Sequence, residues 1–394
     1  MFPDALGGVE PRGARRLAGV TVTARAEHTG SLLRPRFLVE AREAHAAGAL
    51  DPAAFKGLED RAVSEAIAMQ SEAGCEILTD GELRRESFQS ELTAACDGFT
   101  GVDRNAWLWG DWHSEEVGDA RIERPSELGV VNRVRKRRNL AAEEFTFLRD
   151  RISGTGKVTL PSPTLFANLW SPDRSTGVYR TLDAFMAEVV ELLREEVREL
   201  IRLGCTYIQL DAPHYPLLVD PTWRAFYEGR GWTVHRWLSY GVELDNAVIE
   251  AGREPARAAT FGFHLCKGNQ LSRWLVGGGY DPIAAPVLGA VRADRLLLEY
   301  DDERSGTFEP LRQVPDDRIV VLGLVTTKRS ALEREAELEA RVREAARHVD
   351  LERLAVGTQC GFATSVGGNA ITPEAQREKL RLIVRLATRV LGNP

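Results

Sequence analysis

The chain has 394 residues, 43% hydrophobic and 28% charged, with a formal net charge of −7 at pH 7. That is enough apolar material for a sizeable core, and the acidic balance argues against nucleic acid or an anionic membrane as partners. Five cysteines, at 75, 96, 205, 266 and 360, are odd in number and widely spread, unlike a secreted disulfide framework. The first twenty residues lack the apolar run of a signal peptide, and no stretch of about eighteen apolar residues spans a bilayer. We expect a cytoplasmic protein that acts on small molecules, with a homo-oligomer left open.

In chain order, the first expected strand is GVTVTARA (19–26). A second strand of about five residues lies inside SEAGCEILTDGE (71–82), where Gly74 ends a helical stretch and the strand runs to Asp80. The same unit recurs as IRLGCTYIQLDAP (201–213), running to Asp211. Ahead of it, Phe185, Val189, Leu192, Leu193, Val197 and Leu200 form one apolar stripe on a helix over 182–203. Further strands are expected at 157–161, 258–265, 295–300, 318–327 and 353–360. Apolar strands alternating with helices read as a parallel sheet of the α/β class. Eight of them predict a single (β/α)8 TIM barrel over residues 1–394.

One segment breaks the rhythm. Residues 83–156 read as an insertion or lid after the second strand, carrying AWLWGDWH (106–113) and the basic run RVRKRR (133–138). The basic run reads as a solvated face, since six residues in an acidic chain make a weak nucleic-acid signal. A second aromatic segment, 221–241, follows the fourth strand and would also cover a ligand.

In such a barrel the active site lies at the downstream strand ends. Those ends carry Glu27 and His28, Asp80 and Glu82, Asp211 and His214, His264 and Cys266, Glu299, Thr326 and Thr327, and Gln359 and Cys360. His264 and Cys266 are two apart, so their side chains leave the same face. Cys360, at the end of the eighth strand, borders the same opening. One His and two Cys match Zn2+, and three protein ligands leave a fourth position open. Glu299 is the expected labile fourth ligand. Asp211, His214 and Glu82 are the expected catalytic groups that hold substrate or move a proton. Cys75 and Cys205, at strand beginnings, read as packing.

The motifs TGSLLRP (29–35), TDGELRR (79–85), IQLDAP (208–213), FHLCKGN (263–269), LLLEYDDERSG (296–306) and GTQCG (357–361) resemble the catalytic domain of cobalamin-independent methionine synthases, in particular the short single-barrel members. The resemblance implies zinc on His264, Cys266, Glu299 and Cys360. It also implies that Ser31, Glu82 and Asp211 hold the amino-acid end of homocysteine, with methyltetrahydrofolate as methyl donor. Two departures stand out. Ala212 replaces an acidic residue, and GLVTTKRS (323–330) lacks the family's histidine in the seventh-strand loop. His214 is then the first candidate for the acid, unless the donor is not methylfolate.

The expected function is therefore methyl transfer to homocysteine or a related thiol through a zinc-activated thiolate. The related epoxyalkane:coenzyme M transferases leave open attack on another electrophile. A metal-free barrel like uroporphyrinogen decarboxylase, or a binding protein with structural zinc, also stays open.

Overall fold

A computed structural model describes residues 22–102, 109–253 and 258–392. The amino-terminal segment read above for a signal peptide, the first positions of the expected first strand (19–21) and residues 106–108 of the aromatic lid motif lie outside the described residues.

Eight strands form the core: β1 (Ala26–Glu27), β2 (Ile77–Leu78), β3 (Thr155–Pro161), β4 (Tyr207–Asp211), β5 (Thr260–Leu265), β6 (Arg295–Glu299), β7 (Ile319–Val325) and β8 (Leu354–Thr358). They pair in parallel in the order β1-β8-β7-β6-β5-β4-β3-β2. From β2 to β8 each strand pairs with the next in sequence and β8 pairs back to β1, so the sheet curls into a nearly closed barrel with its seam between β1 and β2. Alternation puts Phe261, Phe263 and Leu265 of β5 on the outer, apolar face and His264 on the inner one. On the outside, the helix Leu182–Arg202 buries Phe185, Val189, Leu193, Val197 and Leu200 against the strands. None of the described helices is long and apolar enough to cross a membrane.

β1 and β2 are much shorter than the sequence pattern suggests, because side chains take the bonds that a strand partner would make. The guanidinium of Arg295 donates to the carbonyls of Val22 and Ala24 at 3.0 and 2.8 Å. The side-chain amide of Gln70 bonds both the N–H and the C=O of Thr79 at 2.9 Å. Gln70 Oε1 also lies 2.9 Å from His28 Nε2, and the Thr79 hydroxyl donates to the Gly30 carbonyl at 2.8 Å. A glutamine on the helix Pro52–Glu72 thus stitches the seam.

Between β2 and β3 the chain forms two antiparallel pairs, Cys96–Thr100 with Gly129–Lys136 and Gly110–Trp112 with Ala120–Ile122. The second pair is clipped to the loop after β5 by reciprocal backbone bonds between His113 and Trp274. Along the basic run, Arg133, Lys136, Arg137 and Arg138 pair with Glu188, Glu196, Asp97 and Glu143. These cations neutralise local acids.

The barrel interior is charged. Glu27 accepts from Lys157 Nζ at 3.0 Å, Tyr207 Oη at 2.8 Å and Arg295 Nε at 2.7 Å, and the ion-paired side chains are fully buried. Burial pushes the Glu27 carboxyl up, but the charges of Arg295 and Lys157 outweigh it and hold it down at about 2. A carboxylate lowered on folding contributes stability that is complete above its unfolded value of about 4.3 and is lost as pH falls through the folded one. Glu27→Gln should therefore cost about 3–5 kcal/mol at neutral pH, because it strands two buried cations. It should also flatten the acid side of the stability profile. An unchanged urea midpoint would contradict this role.

Candidate functional site

At the downstream ends of the strands, register brings the expected groups together. Asp211 on β4 is paired with His264 on β5, and His264 in turn with Leu297 on β6. Two residues beyond Leu297, Glu299 ends its strand beside the Cys266 loop. The ligand atoms of His264, Cys266 and Cys360 all lie within 4.8 Å of one another, and all three residues are buried. His264 Nδ1 lies 3.3 Å from the Leu297 carbonyl. That contact suits an Nδ1–H donor and leaves Nε2 with its lone pair free. Nε2 is buried with no hydrogen-bond partner among the described residues. The hydrogen bond with Cys360 lowers the Cys266 thiol to about 5, while the same contact and burial push Cys360 up. A buried orphan nitrogen beside two thiols, one of them easily ionised, fits a thiophilic metal ion.

Glu299 does not join this trio. Its carboxylate accepts from the Lys267 N–H at 2.7 Å and from Arg304 at 2.8 Å, with Lys328 Nζ 3.5 Å away. Burial works against ionisation, yet Lys328, Arg304 and Lys267 together hold the carboxyl well below the usual range. The Tyr280 hydroxyl accepts from the Glu299 N–H and donates to the Leu265 carbonyl, both at 2.9 Å. It locks the ends of β5 and β6 together.

A cavity opens over the trio, and Ser31, Glu82, Asp211, Trp112, Trp223 and Tyr227 are among its lining residues. Asp211 Oδ1 accepts from Gln209 Nε2 at 2.7 Å. Burial raises the Asp211 carboxyl to about 7 despite nearby His264, and Glu82 adds to the rise. Glu82 has φ of 55° and follows Gly81 at 73°, a left-handed turn that a non-glycine residue adopts at a cost. Its N–H donates to Asp80 Oδ1 at 2.9 Å, which gives Asp80 a turn-forming role. Glu82 Oε1 accepts from Thr159 at 3.0 Å, and Oε2 is buried without a partner among the described residues.

His214, expected as a proton donor, does not line this cavity. Its Nε2 lies 2.7 Å from Thr164 Oγ1, and burial drops the imidazole to about 3, so it stays neutral. Neither Thr326, Thr327 nor Lys328 lines the cavity. Thr327 donates to Gln359 and accepts from Asn269, and Lys328 donates to Asp301 at 2.8 Å. Cys75 and Cys205 lie at the far ends of β2 and β4, where burial pushes both thiols up to about 12.

Sequence reasoning gave no role to several side chains that build the site. Gln209 was findable, because it alternates with Asp211 on one strand face. Asn269 sits inside the FHLCKGN motif and donates to the Gly361 carbonyl at 2.8 Å, tying the Cys266 loop to the Cys360 loop. Asn168, on the short helix Pro163–Leu169, lines the cavity and carries no pattern that would have flagged it.

The glycine after Cys360 is required by close approach. A β-carbon added at Gly361 would sit 1.9 Å from Ser31 Oγ. Gly361→Ala should cost about 1–3 kcal/mol through overpacking, and Ser31→Ala in the same chain should recover part of it. A denaturation midpoint for Gly361→Ala equal to that of the parent would disprove the contact.

The family described as "Cobalamin-independent synthase, Catalytic domain" matches residues 30–388. "Uncharacterized protein YxjH" of Bacillus subtilis (strain 168) is 32% identical over 374 residues, 93% of this chain and 94% of that protein. "Methionine synthase" of Saccharolobus solfataricus is 23% identical over 337 residues, 84% of this chain and 86% of that one. The structure of a B12-independent methionine synthase from Shewanella sp. W3-18-1 in complex with selenomethionine superposes with a TM-score of 0.69 at 19% identity, covering 94% of this chain and 98% of that one. The match to the family over nearly the whole barrel, with a relative above 30% identity, shows that the chain belongs to the cobalamin-independent methionine synthase family.

Proposed function

We propose that this chain is a zinc-dependent methyltransferase whose acceptor is homocysteine or a related thiol. The observation that carries the reading is the buried trio His264, Cys266 and Cys360 opening onto a cavity with two carboxyl groups. His264 Nε2 and the two thiol sulfurs would hold the ion, and Glu299, steadied by Arg304 and Lys328, would supply a fourth ligand that an incoming thiol displaces. Zinc, when bound, keeps a coordinated thiol ionised at neutral pH, where a free thiol with pKa near 8.5 is only a few per cent thiolate.

The chain's own groups do the remaining work. Glu82 Oε2 and the Asp211 carboxyl face the cavity and would grip the acceptor's ammonium. An ammonium between them restores the ionised forms that burial disfavours. Ser31, pressed against Gly361, would accept or donate at the acceptor's other end. Trp112, Trp223 and Tyr227 would exclude water and orient the donor in line with the sulfur, and orientation of this kind is worth several kcal/mol. Segment 83–156, which brings Trp112 to the cavity, would act as the lid. The selenomethionine held by the Shewanella protein, an analogue of methylated homocysteine, is in keeping with this assignment.

Two outcomes are expected. The purified chain should carry close to one zinc, and Cys266→Ser and Cys360→Ser should each lose most of it while keeping the parent circular dichroism; full zinc in both variants would defeat the metal assignment. Asp211→Asn should keep its zinc and raise KM for homocysteine about tenfold or more. That corresponds to the loss of one charge-assisted contact of about 1.5–3 kcal/mol. Unchanged kinetics would leave Asp211 with a structural role only.

A further inference from the structure

We propose that the methyl donor for this cavity is a small organic cation, a sulfonium or quaternary ammonium compound, rather than a methylated folate. The inference rests on the function proposed above and names its second substrate by charge.

Three independent features point there. The first is charge. Among the described residues lining the cavity, Glu82 and Asp211 are acidic and none is Lys or Arg. Behind its wall, Lys267 Nζ has no hydrogen-bond partner among the described residues but stands 3.6 Å from the centroid of the Tyr280 ring, and the other cations are held by acids and carbonyls. Arg85 bonds Glu144 at 2.6 Å and the Thr159 carbonyl at 3.0 Å, and Arg34 donates to the Glu82 and Arg85 carbonyls at 2.8 and 3.1 Å. Lys157 is on Glu27, and Lys328 is on Asp301. The anionic glutamate tail of a folate would meet no Lys or Arg among the described lining residues, whereas two carboxyl groups against one acceptor ammonium leave a negative charge over for a cation.

The second is an aromatic wall. Phe88, Trp112, Trp223 and Tyr227 line it, and Trp223 and Tyr227 stand with ring centroids 6.2 Å apart. Trp223 is itself backed by Trp109 at 4.4 Å. Aromatic faces bind onium ions through the ring quadrupole, and more strongly when the ion is desolvated.

The third is the leaving group. A folate nitrogen departs as an amine only if a proton reaches it. The seventh-strand loop offers Thr326, Thr327 and an ion-paired Lys328, none of them in the cavity, and His214 is walled off on Thr164. The cavity's two carboxyls, kept ionised by the acceptor's ammonium, hold no proton to give. A sulfonium needs no proton. The thiolate lone pair forms the new S–CH3 bond while the CH3–S+ bond breaks, and its electron pair stays on the donor sulfur, which leaves as a neutral thioether. One negative and one positive charge disappear together, a step that a low-dielectric cavity favours over water.

The test uses the zinc-loaded full chain and separates this inference from the one beneath it. Binding is read by quenching of tryptophan fluorescence with choline and with its uncharged isostere 3,3-dimethylbutan-1-ol. The cation should bind at least tenfold more tightly, and Trp223→Leu should erase most of the difference. Turnover is read by mass spectrometry with homocysteine and either S-methylmethionine or methyltetrahydrofolate, each bearing a deuterated methyl group. Label should enter methionine from the sulfonium at least a hundredfold faster. Equal binding of the isostere, or faster transfer from the folate, would overturn the inference and leave the thiol methyltransferase reading intact. Failure of homocysteine to alter the spectrum of the cobalt-substituted protein would instead remove that underlying reading.

Discussion

A single buried carboxylate, Glu27, is the constraint on which the barrel turns. It sits on a strand of two residues, too short to be held by its own ladder, yet it receives Lys157 from β3, Tyr207 from β4 and Arg295 from β6. The charges cross the interior and join strands that do not touch along the sheet. Arg295 reaches further and caps the carbonyls of Val22 and Ala24, so the incoming chain is fastened by the same group. Removing one partner from such a set leaves a buried charge uncompensated, which makes the interior an all-or-none unit.

The same network leads upward to the candidate site. Lys157 also donates to Gln209 Oε1 at 2.9 Å, and Gln209 donates to Asp211. The floor of the barrel therefore sets the orientation of a carboxyl at its mouth. Around the mouth, short polar links fix the loops: Tyr280 between β5 and β6, Asn269 between the Cys266 and Cys360 loops, Thr159 on Glu82. Two groups proposed to face a ligand, Glu82 Oε2 and His264 Nε2, are among the buried polar atoms left without a hydrogen-bond partner among the described residues. Unsatisfied buried polar atoms are costly, and the proposed binding of an ammonium and a metal ion would give that cost a reason.

Much of this was legible in the sequence because barrel strands leave a strong mark: β3 to β8 fall inside or within two residues of the apolar runs, with polar residues at or shortly beyond their ends. The soft donors His264, Cys266 and Cys360 were legible because all three lie at or just past strand ends in a nearly closed sheet. The short β1 and β2 were not, since their lengths depend on side chains from Gln70 and Arg295 that no local pattern announces. His214 misled for a related reason: four residues after a strand's interior it looks like a mouth residue, yet the chain turns into a short helix, His214–Leu217, that packs the ring against Tyr215 at 4.1 Å. The aromatic wall was half legible. The richness in tryptophan was plain, but which rings reach the cavity depends on how two distant segments fold over one opening.

In the function proposed above the trio of soft donors holds zinc, and an incoming thiol takes the position that Glu299 gives up. X-ray absorption at the zinc edge tests it most directly. The account predicts two sulfur neighbours at about 2.3 Å in the resting protein and three once homocysteine is added. A sulfur count that homocysteine leaves unchanged, while the amino acid still binds, would contradict it.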